Sequence, residues 1–125
     1  MSDRFRPRDV VAFRREQQCG RCVWCGQLAA PMDDPWSKPS SPTLEHIQPV
    51  SMGGKDSMRN MVMAHYACNQ VRGTNYQIWP RKQVMMLLPV SVRSQVNRFL
   101  QRKYMITWNG GRPIVSQIYL PGEDV

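Results

Sequence analysis

Two pairs of metal-ligating residue types stand out in this 125-residue chain. The first is Cys22-x-x-Cys25-Gly26, where a two-residue gap lets both sulfurs reach one ion and the glycine permits the tight turn behind them. The second is His65-x-x-Cys68. At the start of a helix, residues three apart share a face, so an imidazole and a thiolate can converge. Together they form a Cys3His set suited to tetrahedral zinc, with no position left for water, which makes the ion structural rather than catalytic. Cys19 precedes Cys22 by the same spacing, so Cys19/Cys22 is a rival pair. The glycine after Cys25 favours Cys22/Cys25, and Cys19 is then a spare thiol at a helix end.

A second chemistry is carried by Glu45-His46. Hydrolysing a phosphodiester needs a base for water, a cation to neutralise charge on the phosphoryl oxygens, and stabilisation of the leaving oxygen. His46 is the histidine that the zinc set does not use, and near neutrality an unprotonated imidazole accepts a proton from water. Glu45 comes just before it, so on a strand the two side chains point to opposite faces unless the chain distorts on its way to Pro49. A Glu-His pair on a strand is usually a surface pair, and an isolated asparagine is usually a turn residue. Their weight lies in standing together beside a zinc set.

The run Glu45-His46-Ile47-x-Pro49-x-Ser51-x-Gly53-Gly54, then Asn60, then His65-x-x-Cys68-Asn69-x-x-Arg72-Gly73, resembles the zinc-containing HNH endonucleases. The resemblance spans Cys22 to Gly73, and residues 27–42 inside it are not matched in detail. It departs from the family pattern in two places: Glu45 stands where aspartate is more usual, and His65 where cysteine is. The resemblance implies a ββα-metal core and metal-dependent DNA cleavage leaving 5′-phosphate and 3′-hydroxyl ends. It also implies that Glu45 and Asn69 hold one Mg²⁺ or Mn²⁺, an ion that carboxylate and amide oxygens suit. Asn60 would pin the loop that orients His46. A rival role for His65, four residues before Asn69, is to join the catalytic ion, leaving zinc to the cysteines with Cys19 included.

The elements that must position these groups are short. Residues 7–18 are expected as a helix, with Asp9 as N-cap, Val10, Val11 and Phe13 inward, and Arg14 and Arg15 outward. Pro31, Pro35, Pro39 and Pro42 make residues 27–42 a loop. Strands are expected over Thr43–Ile47 and Met61–Ala64, separated by a turn at Gly53-Gly54, with a helix from Tyr66 to about Thr74. Val92, Val96, Phe99, Leu100 and Tyr104 recur at helical spacing, with Arg93, Arg98, Arg102 and Lys103 on the other face. Ile106–Trp108 and Pro113–Leu120 read as a terminal hairpin around an Asn109-Gly110 turn. The fold class is therefore α+β: a zinc-stapled ββα core with an N-terminal helix and a C-terminal helix and hairpin. One domain is expected over residues 1–125, its core at about 19–74 and its extension at about 89–120.

Lys and Arg number 17 against 9 Asp and Glu, a net charge of +8. With a pI of about 9.9, this favours a polyanionic partner, DNA above all. Lys55, Arg59 and Arg72 flank the expected site, and Arg93, Arg98, Arg102 and Lys103 would extend the track along the C-terminal helix, gripping phosphates rather than reading bases. The C-terminal third carries no motif, and its apolar face is the expected seat of any protein partner. No apolar run approaches the ~20 residues of a membrane span, and residues 1–10 lack the apolar stretch of a secretory signal, so a cytoplasmic protein, of a phage-encoded kind, is expected. Reduced thiols there again point to metal. Two other functions remain open: a zinc-stabilised nucleic-acid-binding module without catalysis, and a structural component of a phage-type DNA-processing complex.

Overall fold

The computed structural model describes residues 6–118. Helix α1, Pro7–Gln17, is followed by a long loop, then by strand β1 (Pro42–His46), strand β2 (Met61–His65) and helix α2 (Tyr66–Arg72). Helices α3 (Lys82–Met85) and α4 (Val90–Phe99) and strands β3 (Tyr104–Asn109) and β4 (Arg112–Gln117) complete the chain. Strands β1 and β2 pair antiparallel, with Glu45 opposite Val62 and His46 opposite Met61, and α2 leaves β2 without a gap. The expected ββα unit is present within a mixed helix-and-strand fold.

The β1–β2 hairpin is covered on both faces, which is why β2 shows no polar alternation and is buried from end to end. Val62 and Ala64 join a cluster with Trp24, Cys68, Ile78, Val92, Val96 and Ile106. Met63 faces the other way, onto Val11 and Ala29, with Leu44, Met32 and Trp36 around them. Residues from the cysteine knuckle, α3, α4 and β3 thus share one core with β2.

Helix α1 corrects the sequence expectation at its start and on its inner face. Its N-cap is Arg6, with Pro7 in the first turn, and Asp9 lies inside that turn, where its charge suits the helix dipole. Phe13 is 51% exposed, whereas Arg14 is 2% exposed. The reason is the free edge of β2. Arg14 donates to the carbonyls of Met61 (2.9 Å) and Met58 (2.6 Å). Gln18 exchanges two bonds of 2.9 Å with the Met63 backbone. Polar side chains here satisfy edge groups that a phenyl ring would leave buried and unpaired.

The C-terminal helix ends sooner than its apolar spacing suggests. Leu100 is extended (φ −96°, ψ 156°), and the amides of Gln101 and Tyr104 bond to the carbonyls of Tyr76 and Gln77, each at 2.8 Å. Arg102 and Lys103 therefore lie beyond α4, and Tyr104 begins β3. In the terminal hairpin Asn109 pairs with Arg112, so the turn residues are Gly110-Gly111 rather than Asn109-Gly110. Strand β4 ends at Gln117, and the expected continuation to Leu120 reaches beyond the described residues. Among the described residues, no helix is long and apolar enough to cross a membrane.

Candidate metal centre and active site

Cys22, Cys25, His65 and Cys68 converge, their ligand atoms all within 4.8 Å of one another and all four residues buried. Two local devices bring them together. The knuckle closes through Gly26, whose amide donates to the Cys22 carbonyl at 2.9 Å and whose φ of +80° a residue with a Cβ rarely adopts. On the other side His65 is the N-cap of α2, and Cys68 lies in that helix's first turn.

One nitrogen of the histidine is committed. Its Nε2 donates to the Leu28 carbonyl at 2.9 Å, which leaves Nδ1 as the nitrogen a metal would take. Nδ1 lies 3.2 Å from Cys25 Sγ and 3.6 Å from Cys68 Sγ. Hydrogen bonds among the crowded thiols lower Cys25 and raise Cys68 from their ordinary values, as expected where neighbouring sulfurs share protons. A tetrahedral zinc with ~2.3 Å bonds to sulfur holds its ligand atoms at about this mutual spacing. Three sulfurs and one imidazole nitrogen, closed to solvent, fit a structural zinc. Cys19 lies outside the group and is exposed, as a spare thiol should be. His65 Nδ1 points at sulfurs, as the zinc role requires.

Trp108 also belongs to this centre, although nothing in local spacing announces it. From β3, 83 residues after Cys25, its indole nitrogen donates to Cys25 Sγ at 3.1 Å. Its ring meets His65 edge-on, with centroids 5.2 Å apart. Donors to ligating sulfurs and packing on ligating imidazoles tune and orient a metal site.

At the end of β1 the side chains alternate as a regular strand requires, with no distortion. Glu45 turns under α2, and both of its oxygens are occupied. Trp24 Nε1 donates to Oε2 (2.8 Å) and the His46 amide to Oε1 (2.9 Å), while Arg72 Nη1 lies 3.7 Å from Oε1. Burial raises its carboxyl to about 7, against the opposing pull of Arg72, Trp24 and the His46 amide. Arg72 corrects its expected role as a DNA contact. It is 1% exposed, donates to the carbonyls of His46, Ile47 and Asn75, and stacks over Trp24 with Cζ 4.8 Å from the ring centroid.

Asn69 covers the same face of β1. Its amide nitrogen reaches Thr43 Oγ1 at 3.4 Å and donates to the Leu44 carbonyl at 2.9 Å, so its Oδ1 is the atom it can offer. Thr43 and Glu45, two residues apart, share that face. A carboxylate retains lone pairs after accepting two hydrogen bonds, so one carboxylate and one amide oxygen meet the oxygen chemistry of a hard divalent cation. Such a cation competes with Trp24 and Arg72 for Glu45.

His46 turns the other way. Its Nε2 lies 2.7 Å from Asp56 Oδ1, and its side chain keeps 20% of its surface exposed. Asp56 was not anticipated. The signal available was a lone carboxylate between Gly54 and Asn60, in the loop facing the only histidine left for chemistry. That loop, residues 47–60, is gathered by Asn60, whose side chain bonds the backbone of Gln48 at both N (2.8 Å) and O (3.0 Å) and the Lys55 carbonyl (3.0 Å). Gly54 passes so close to the Gln48 carbonyl that any Cβ there would overlap it.

The remaining cations are spread widely. Lys55 and Arg59 are exposed on the loop beside His46 and Asp56. Arg93 donates to the Leu88 carbonyl (2.7 Å), Arg98 to Gln95 Oε1 (3.3 Å), and Arg102 and Lys103 lie over the rings of Trp79 and Tyr104.

Residues 19–75 match the model of the HNH family, described as HNH endonuclease. No curated protein and no solved structure matches the chain.

Proposed function

We propose, from the premise that residues 19–75 are an HNH-family segment of nuclease-type fold, that the protein is a metal-dependent endonuclease hydrolysing DNA phosphodiester bonds. The observation that carries this reading is the His46–Asp56 contact at 2.7 Å, on a loop pinned by Asn60. A carboxylate on Nε2–H holds the imidazole in the tautomer whose Nδ1 is basic. In the proposed reaction that nitrogen takes a proton from water while the water oxygen bonds to phosphorus. The bond from phosphorus to the 3′-oxygen breaks, and solvent water protonates that oxygen, leaving 5′-phosphate and 3′-hydroxyl ends. Glu45 and Asn69 would hold a Mg²⁺ or Mn²⁺, which when bound neutralises charge on the phosphoryl oxygens. A zinc held by His65 and Cys68 would fix the first turn of α2, where Cys68 directly precedes Asn69, and so would set where that amide stands. Lys55 and Arg59 supply phosphate contacts near the base, with Arg93, Arg98, Arg102 and Lys103 as a more distant set.

A second reading, a zinc-stabilised DNA-binding module without catalysis, draws on the engagement of Glu45 by Trp24 and Arg72. Incubation with supercoiled plasmid separates the two. Open-circle or linear product with Mg²⁺ or Mn²⁺, abolished by excess chelator, is the nuclease outcome. Plasmid that is retarded on a gel but stays supercoiled in both metals is the outcome of the binding module.

A further inference from the structure

Asn60 is met on every side. Two of its hydrogen bonds join the Gln48 backbone and a third joins the Lys55 carbonyl, all within its own loop. The fourth comes from α4, where Gln95 Nε2 donates to Asn60 Oδ1 at 2.9 Å across 35 residues of sequence. With this bond both donors and both acceptor sites of the Asn60 amide are used. Gln95 itself is 6% exposed, which is unusual for a glutamine on an amphipathic helix. Its orientation is set from the other end, because Arg98 Nη1 donates to Gln95 Oε1 at 3.3 Å and so turns the amide nitrogen toward Asn60.

We infer that Gln95 is a positioning residue of the nuclease reaction, acting through Asn60 on the loop that carries Asp56 to His46. This inference rests on the function proposed above. Asn60 Oδ1 must accept from the Gln48 amide, and Nδ2 must donate to two carbonyls. Reversing the amide would set oxygen against the carbonyls and nitrogen against the amide. A buried donor opposite Oδ1 makes the correct orientation the satisfied one, and a satisfied buried network is rigid where a half-satisfied one is costly. Lys55, whose carbonyl Asn60 holds, is the residue before Asp56. Loosening Asn60 therefore loosens the carboxylate that aims the imidazole. Helix α4 is then part of the apparatus that shapes the active site, in addition to presenting cations. Neither the ligand spacing nor the match over residues 19–75 covers Gln95.

The test compares Gln95→Glu and Gln95→Met with the parent. Gln95→Glu keeps the size and removes the donor, so an oxygen faces Asn60 Oδ1, while Gln95→Met keeps the bulk without hydrogen bonding. Five quantities are read: kcat and KM on plasmid, zinc per chain, melting temperature, and backbone amide exchange across residues 47–60. Small displacements of aligned groups cost up to ~100-fold in rate, so kcat should fall about 10- to 100-fold in both variants. KM should stay within about twofold of the parent, a change too small to reflect lost substrate binding. Zinc should be retained, and the Gln48 amide should exchange faster while those of β2 do not. Parent-like kcat in Gln95→Glu would overturn the inference, as would raised KM with kcat intact, which marks α4 as a binding face only. A parent that cuts nothing in either metal would instead overturn the nuclease reading, and unchanged exchange at Gln48 would separately overturn the hold on the loop.

Discussion

The Arg72 guanidinium lies 3.7 Å from the Glu45 carboxylate, and both residues are withdrawn from water, at 1% and 5% exposure. An arginine two residues from the end of an expected site reads as a phosphate contact, yet here it ties α2 to the end of β1. Removing it leaves three carbonyls without their donor and, above about pH 7, a buried carboxylate uncompensated. Arg72→Met is expected to lower stability by about 3–5 kcal/mol, read by chemical denaturation. Lys55→Ala and Arg59→Ala should do the reverse. Melting temperature holds, and the slope of log affinity against log salt falls by about one per residue. A parent-like denaturation midpoint for Arg72→Met would refute its structural role.

Glu45 should make stability depend on pH in a direction unusual for a carboxylate. Burial lifts its folded value from 4.5 to about 7, so the folded chain binds this proton more tightly than the unfolded chain. Stability contributed by the proton is fully present below 4.5, is lost as pH rises from there to about 7, and stays level above that. Gln at this position carries no such loss. The melting temperature of Glu45→Gln minus that of the parent, measured without added divalent cation, should climb over that window and level above it. A difference that is flat with pH would show that Glu45 is ionised throughout.

The zinc centre should accept the ligand that the family more often uses. His65→Cys should keep one zinc per chain, because a thiolate from the α2 N-cap can replace Nδ1. It should also lose some stability, about 1 kcal/mol, with the bond to the Leu28 carbonyl. Trp108→Phe removes the N–H to Cys25 Sγ, and zinc affinity should fall about 10- to 100-fold in a chelator competition. Affinity equal to that of the parent would show that the β3 hairpin does not support the metal.

The Cys3His cluster was legible in the sequence because each half-site is local, with a turn or the first turn of a helix converting a two-residue gap into convergence. The ββα order was legible for the same reason. Asp56, Gln95 and Trp108 were not, because each acts on a group brought near only by tertiary packing. Arg14 and Phe13 exchanged their expected places because the surface receiving α1 is a strand edge with free backbone groups, which an apolar count does not register. The early end of α4 likewise depends on the carbonyls of Tyr76 and Gln77, which take the amides of Gln101 and Tyr104.

Asp56 should matter to rate more than to fold. Its side chain is 78% exposed, so Asp56→Ala should leave melting temperature and zinc near the parent. Its carboxylate holds the imidazole tautomer, so cleavage should slow at least about tenfold, with histidine nitrogen NMR showing a mixture of tautomers. A single unchanged tautomer in Asp56→Ala would remove Asp56 from the mechanism.

Plasmid cleavage by His46→Ala, read beside zinc content and DNA affinity, bears most directly on the proposed activity. Losing a positioned general base costs ~10²–10⁴-fold in rate, so cleavage in Mg²⁺ or Mn²⁺ should fall by that factor. One zinc per chain, the melting temperature and the affinity for uncut DNA should stay close to the parent, since His46 contacts no zinc-ligand candidate and meets buried Glu45 and Arg72 through backbone that alanine keeps. His65→Ala, in contrast, should lose zinc and melt early. A His46→Ala protein that cuts plasmid as fast as the parent would contradict the assignment of His46 as the base.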